Sequence, residues 1–283
     1  MTFYPLVNLG GGLAGRRSGG GGEGVFWVHP YALDSSCWAE LWDRLPGWRH
    51  VGVDLPGHGL SEPLAPREDL AALANRLREA AAREGARHLV GLSLGANLAL
   101  AMALGGGQTF SSVVLASPEL EDTAAGEGFW WRYRELVTMY MMAGFGEHLR
   151  GRLMLVEPGI FDGTRSRPGL WERLWRIVGR HPFWDLADGG YLRVASTAWP
   201  EDALAGMDLP TLLVAGESDA AGSKAEAGRW AAALPASRLA ELAGAAHLAL
   251  LETPEAAAAA LDAHLGGHAL STTEGRAKVE AGA

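Results

Sequence analysis

The chain has 283 residues, 48% of them hydrophobic and 20% charged, a composition that excludes a disordered chain and supplies a large core. Its formal net charge of -9 argues against nucleic acid as the main partner, because phosphate binding needs clustered Lys and Arg. Cys37 is the single cysteine, which excludes an intrachain disulfide, and neither a membrane-span-length apolar run nor a signal-peptide pattern is present, so the expectation is a soluble, cytoplasmic protein with no membrane span.

Residues 3–9 and 12–17 read as an opening hairpin, and the Gly-rich stretch Ser18 to Gly24 as a flexible turn. The apolar run 25–30 is a strand buried on both faces. Residues 38–45 read as a helix closed by Pro46-Gly47, and 49–55 as a second buried strand. Leu70, Leu73, Leu77 and Ala81 recur at helical spacing within 68–83, and Gly85 ends that helix. Residues 87–92 form a third strand, which runs straight into a helix over 94–104. Further strands follow at 111–117, 210–216 and 237–242, with helices at 222–234 and 254–265. Strands alternating with helices predict an α/β fold with a mostly parallel sheet and helices on both faces.

One segment breaks the alternation. Residues 121–209 have helical patterns but no core strand, and they hold Trp130, Trp131, Trp171, Trp175, Trp184 and Trp199, six of the eleven tryptophans. The expected organisation is therefore a core formed by 1–120 and 210–266, a helical cap inserted as 121–209, and a disordered tail over 267–283.

Gly91-Leu92-Ser93-Leu94-Gly95 fits G-x-S-x-G, with a buried strand before it and a helix after it. That context demands a sharp strand-to-helix turn with Ser93 in a strained conformation, and with glycines two positions to either side to avoid collision. The free N–H groups of the following helix then face the reacting oxygen. Three further segments agree with this one. They are His29-Pro30-Tyr31 after the first buried strand, Asp54-Leu55-Pro56-Gly57-His58-Gly59-Leu60-Ser61, and Gly244-Ala245-Ala246-His247 before the last helix.

Together these four ordered segments resemble the α/β-hydrolase family over nearly the whole chain. They resemble, in turn, its nucleophile elbow, its His-Gly-x oxyanion loop, its Asp-x-x-Gly-x-Gly-x-Ser turn and its catalytic histidine loop. The resemblance implies Ser93 as nucleophile, His247 as general base and Asp219, in Gly216-Glu217-Ser218-Asp219 past the strand 210–216, as the orienting acid. Glu217 is a near rival for that role, and members that carry the acid on the earlier strand would nominate Glu119 or Asp122. The oxyanion donors implied are the N–H groups of Leu94 and Tyr31. Pro30 has no N–H to give, and it stands where the family usually has glycine. His58 is expected to be a structural turn residue, and His29 to bind backbone at the start of the oxyanion loop.

The implied chemistry is hydrolysis of a carboxylic ester or thioester of a bulky apolar small molecule through an acyl-enzyme. An acyl-carrier or acyl-CoA thioester is among the substrates it admits. The same residues would serve a cyclase or acyltransferase, a cofactor-free perhydrolase or a carbon–carbon hydrolase, and a non-catalytic ligand receptor is the alternative of another class. Trp130, Trp131, Tyr140 and Met142 are the candidate apolar lining of the substrate pocket. No metal-ligand spacing, dinucleotide glycine fingerprint or phosphate loop is present, so neither metal nor cofactor is expected.

Overall fold

The computed structural model describes residues 2–105, 110–118, 129–155, 159–187, 189–195 and 199–269. Eight strands form one sheet in the order β1-β2-β4-β3-β5-β6-β7-β8. The opening hairpin is β1 (Leu6–Gly10) and β2 (Leu13–Arg17), and β2 joins the sheet antiparallel to β4 (Arg49–Val53). From β4 onward every pairing is parallel, through β3 (Gly24–Val28), β5 (Ala86–Leu92), β6 (Ser112–Ala116), β7 (Thr211–Gly216) and β8 (Ser237–Leu242).

The continuous apolar runs explain the middle of the sheet. Every residue of β3, β6 and β7 is buried, because helices cover both faces and no alternation with polar residues is needed. The helices of the core are α1 (Ala39–Trp42), α2 (Leu70–Arg83) and α3 (Leu94–Leu104). Of these, α1 is shorter than the sequence pattern suggests, since its first turn is a 3₁₀ helix, Ser35–Trp38, capped by the Asp34 carboxylate on Ser36 N–H. Asp69 caps α2 in the same way by accepting from Ala72 N–H.

Between β6 and β7 the described residues form α4 (Phe129–Ala143), α5 (Glu147–Leu155), α6 (Pro168–Val178), α7 (Gly190–Ala195) and α8 (Glu201–Ala205), with 3₁₀ turns at Asp162–Ser166 and Trp184–Ala187. This insertion is tied to the core by charged groups. Arg173 pairs with Glu40 at 2.9 Å, and Arg180 pairs with Asp34 at 3.0 Å. After β7 come α9 (Ala221–Ala233), α10 (Ala249–Glu252) and α11 (Pro254–Gly266). The short α10 was not foreseen from the sequence. Residues 270–283 of the expected tail lie outside the described residues. No helix among the described residues is long and apolar enough to cross a membrane.

Candidate active site

The parallel strands all end at one edge of the sheet, and the chemistry-bearing loops leave from that edge. Ser93 follows β5 directly and sits at φ 57, ψ -122, a conformation that L residues seldom adopt. It is held there by backbone bonds: Ser93 N–H donates to Ala116 O at 2.9 Å, and Ser93 O accepts from Ala96 N–H at 2.8 Å and from Asn97 N–H at 3.4 Å. The flanking glycines make the turn sterically feasible. A Cβ on Gly91 would overlap the Gly95 carbonyl, and a Cβ on Gly95 would overlap the Val28 carbonyl. The elbow is therefore wedged against the end of β3, which also starts the loop of Pro30 and Tyr31.

Three side chains distant in sequence meet here. The Ser93 hydroxyl lies 2.9 Å from His247 Nε2, and His247 Nδ1 lies 3.0 Å from Asp219 Oδ1. All three residues are buried. Asp219 Oδ1 also accepts from Ala220 N–H at 2.7 Å. Burial pushes the Asp219 carboxyl up, but the facing imidazole and that N–H outweigh it and hold the group below the usual carboxylate range. A carboxylate on Nδ1 requires a proton there, which leaves Nε2 free to accept from the serine hydroxyl.

The acid turn and the histidine loop are stitched together along their backbones. Ser218 N–H donates to Ala245 O at 2.8 Å, and Glu217 N–H to Leu242 O at 3.0 Å. Glu217, the near rival for the acid, points elsewhere: its carboxylate accepts from Gly244 N–H at 2.8 Å. The other rivals, Glu119 and Asp122, lie outside the described residues.

Leu94 N–H, at the start of α3, has no acceptor among the described residues and borders Ser93. The loop that carries Tyr31 is fixed by two buried histidines. His29 Nε2 accepts from Leu55 N–H at 2.9 Å, while its Nδ1 donates to Pro30 O at 2.8 Å. His58 Nε2 accepts from Ala32 N–H at 3.1 Å, while its Nδ1 donates to Pro56 O at 3.0 Å. Burial keeps both imidazoles neutral by pushing their pKa values down. Within the Asp54-to-Ser61 turn, Asp54 accepts from Ser35 N–H and Leu60 N–H, and Ser61 donates to Asp54 O. Its polar side chains are thus spent on holding loops.

The side chain of Tyr31 is buried against the insertion. Its hydroxyl donates to Asp185 Oδ2 at 2.9 Å, and Tyr133 donates to the same oxygen at 2.6 Å. His181 stacks on His58 with ring centroids 4.2 Å apart, and Tyr191 donates to Pro56 O at 2.9 Å. The sequence pattern singles out none of Asp185, His181 or Tyr191. Of the residues expected to line a pocket, Trp130 and Trp131 fall in α4, but their side chains lie outside the described residues. Tyr140 is partly buried against the core. Met142 is 83% exposed, so it faces solvent rather than a closed pocket, and it is Tyr133 and Leu136 of the same helix that are buried. Among the described residues, no group of three or more His, Cys, Asp or Glu side chains is placed to hold a metal ion.

Comparison with known proteins bears on the family and the fold. The profile of the alpha/beta hydrolase family matches residues 25–260. The pimeloyl-[acyl-carrier protein] methyl ester esterase of Yersinia pseudotuberculosis is 28% identical over 82% of this chain and 90% of its own length. A dihydrolipoyllysine-residue acetyltransferase component of an acetoin cleaving system, from Cupriavidus necator, is 34% identical over 40% of this chain, a match that spans only 31% of that protein. Among solved structures, a thermophilic esterase from Thermogutta terrifontis superposes with a TM-score of 0.74 and 25% identity, covering 91% of this chain and 94% of that one. The chain belongs to the alpha/beta hydrolase family.

Proposed function

We propose that this chain cleaves a carboxylic ester or thioester through an acyl-enzyme on Ser93. The observation that carries the reading is the unbroken chain from Ser93 Oγ to His247 Nε2 at 2.9 Å and from His247 Nδ1 to Asp219 at 3.0 Å. In this mechanism His247 Nε2 takes the serine proton as Oγ attacks the carbonyl carbon. The Leu94 and Tyr31 N–H groups hold the oxyanion that forms. Collapse of the tetrahedral species expels the alcohol or thiol, which takes its proton from Nε2. Water, deprotonated by the same nitrogen, then releases the acid and restores Ser93. Asp219 keeps its charge throughout and stabilises the imidazolium.

The reading of the insertion as a cap over Ser93 rests on position and contacts. It leaves the sheet after β6, beside the strand that ends at Ser93, and its Tyr133, His181 and Asp185 pack on the Tyr31 loop. The similarity to a methyl ester esterase acting on an acyl-carrier-protein substrate supports an acyl ester, with an acyl-carrier-borne substrate as the specific candidate. The test is a panel of p-nitrophenyl esters and acyl thioesters of graded chain length, assayed with and without Ser93→Ala. Turnover that rises with acyl length and vanishes in the variant supports the reading. Turnover that survives in Ser93→Ala refutes it. Specific ligand binding without turnover of any ester would instead support the non-catalytic receptor.

A further inference from the structure

A second buried carboxylate stands beside the histidine loop. Glu252, the last residue of α10, is 4% exposed. Its Oε2 accepts from Ala246 N–H at 2.5 Å and its Oε1 accepts from Leu248 N–H at 3.1 Å. Those are the N–H groups of the residues on either side of His247, so one carboxylate grips the backbone both before and after the imidazole. No cation meets the carboxylate oxygens among the described residues. The nearby guanidinium of Arg167 instead binds the main-chain oxygens of Leu251 at 2.8 Å and Glu252 at 2.5 Å, and its other amino group pairs with Glu40 at 3.2 Å. The insertion closes over the carboxylate from above, since a Cβ on Gly163 would overlap both of its oxygens.

A carboxylate buried without a direct cation is costly, and two N–H donors offset that cost only in part. The Glu252 carboxyl is accordingly pushed above its ordinary value by burial, with the Asp219 charge adding to the rise and the Ala246 and Leu248 N–H groups and His247 opposing it. Part of the arrangement resembles an ordinary helix cap, because Leu248 is the N-cap of α10. The bond to Ala246 goes beyond that: it reaches across His247 to the far side of the loop.

We infer that Glu252 is a positioning residue that fixes His247 in reach of Ser93, and that Gly163 and Arg167 of the insertion seat it. The inference rests on the triad reading above. It deepens that reading by making the insertion part of what orients the base.

The test compares Glu252→Gln and Gly163→Ala in the full chain, with Ser93→Ala and His247→Ala as controls and p-nitrophenyl butyrate as substrate. Glutamine keeps the length of the side chain but turns an N–H donor toward one of the loop N–H groups. The expected result for both variants is a fall of at least about tenfold in kcat, with KM held within about twofold, because the pose of the base and not substrate binding is lost. In Glu252→Gln the acid limb of the pH–rate profile also moves to lower pH. The imidazolium loses a neighbouring negative charge, while Asp219 still faces it and Arg167 keeps its carbonyl partners. Wild-type kcat in Glu252→Gln overturns the inference, as does a lowered melting temperature with kcat and the acid limb unmoved. If Glu252→Gln does not fold by circular dichroism, Gly163→Ala decides on the split between kcat and KM, and an unchanged kcat overturns it. Failure of the triad reading is distinct, since it shows as surviving turnover in Ser93→Ala or His247→Ala.

Discussion

Replacing Asp219 by asparagine tests the electrostatics of the site while leaving its shape intact. Asp219 Oδ1 receives both the His247 Nδ1–H, at 3.0 Å, and Ala220 N–H, at 2.7 Å. In Asp219→Asn one orientation keeps both bonds but loses the charge. The other turns an N–H toward Nδ1 and forces the proton onto Nε2, where it blocks proton transfer from Ser93. The charge can be weighed directly. Opposite unit charges 3.0 Å apart interact by about 5 kcal/mol at an effective dielectric constant of ~20. That attraction exists only when His247 is an imidazolium, which is the state formed on the way to the tetrahedral intermediate. At about 1.4 kcal/mol per factor of ten, its loss corresponds to a drop in kcat of about 10³ to 10⁴. The assay is steady-state hydrolysis of a p-nitrophenyl ester at pH 7 to 8, with circular dichroism to show that the fold is retained. A folded Asp219→Asn enzyme within about tenfold of wild-type kcat would refute the reasoning and return the acid to the earlier strand.

Three other outcomes follow from the same structure. Ser93→Gly and Ser93→Ala should both be inactive and unlabelled by a fluorophosphonate, with the glycine variant more stable by about 1 kcal/mol, because φ 57 costs a Cβ-bearing residue and not glycine; urea unfolding measures the difference. Gly95→Ala should destabilise the chain by roughly 1–3 kcal/mol or prevent folding, since its Cβ would overlap the immobile carbonyl of Val28, and denaturant midpoints report it. Stability should also decline as pH falls from 6.5 toward about 4. His50 is buried with its pKa lowered from 6.5 to about 4, so the unfolded chain takes up its proton first. The sign follows from that order: the stability is complete above 6.5 and is lost on the way down, by roughly 3 kcal/mol for this group, and melting temperatures of wild type and His50→Gln across that window should converge.

The Ser93 elbow could be read from the sequence because its causes are local. A strand of seven residues, a serine and a helix of eleven follow one another without a gap, and the glycines that permit the turn lie two positions away. The inner strands were legible for a similar reason, since burial on both faces leaves an unbroken apolar run such as Val113 to Ala116. His247 and Asp219 were legible through their place after β8 and β7, at the sheet edge where parallel strands all end.

The lining of the insertion was not legible, and α4 shows why. Its sequence, FWWRYRELVTMYMMA, places apolar residues on several faces, so no period distinguishes buried Tyr133 from Met142, which is 83% exposed. The pairing of Tyr31 with Asp185 joins residues 154 positions apart, and no local pattern encodes such a contact. The order of the strands was also undetermined, because β4 lies between β2 and β3 by virtue of a crossover that any set of apolar runs would permit. The sequence alone thus determined the strands and the longer helices of the core, though not α10, and which short motifs stand at their ends, because steric and solvation effects within a few residues suffice for both. Tertiary structure alone decided which carboxylates face the histidine loop and which face of each inserted helix is buried, because those depend on packing between segments far apart in the chain.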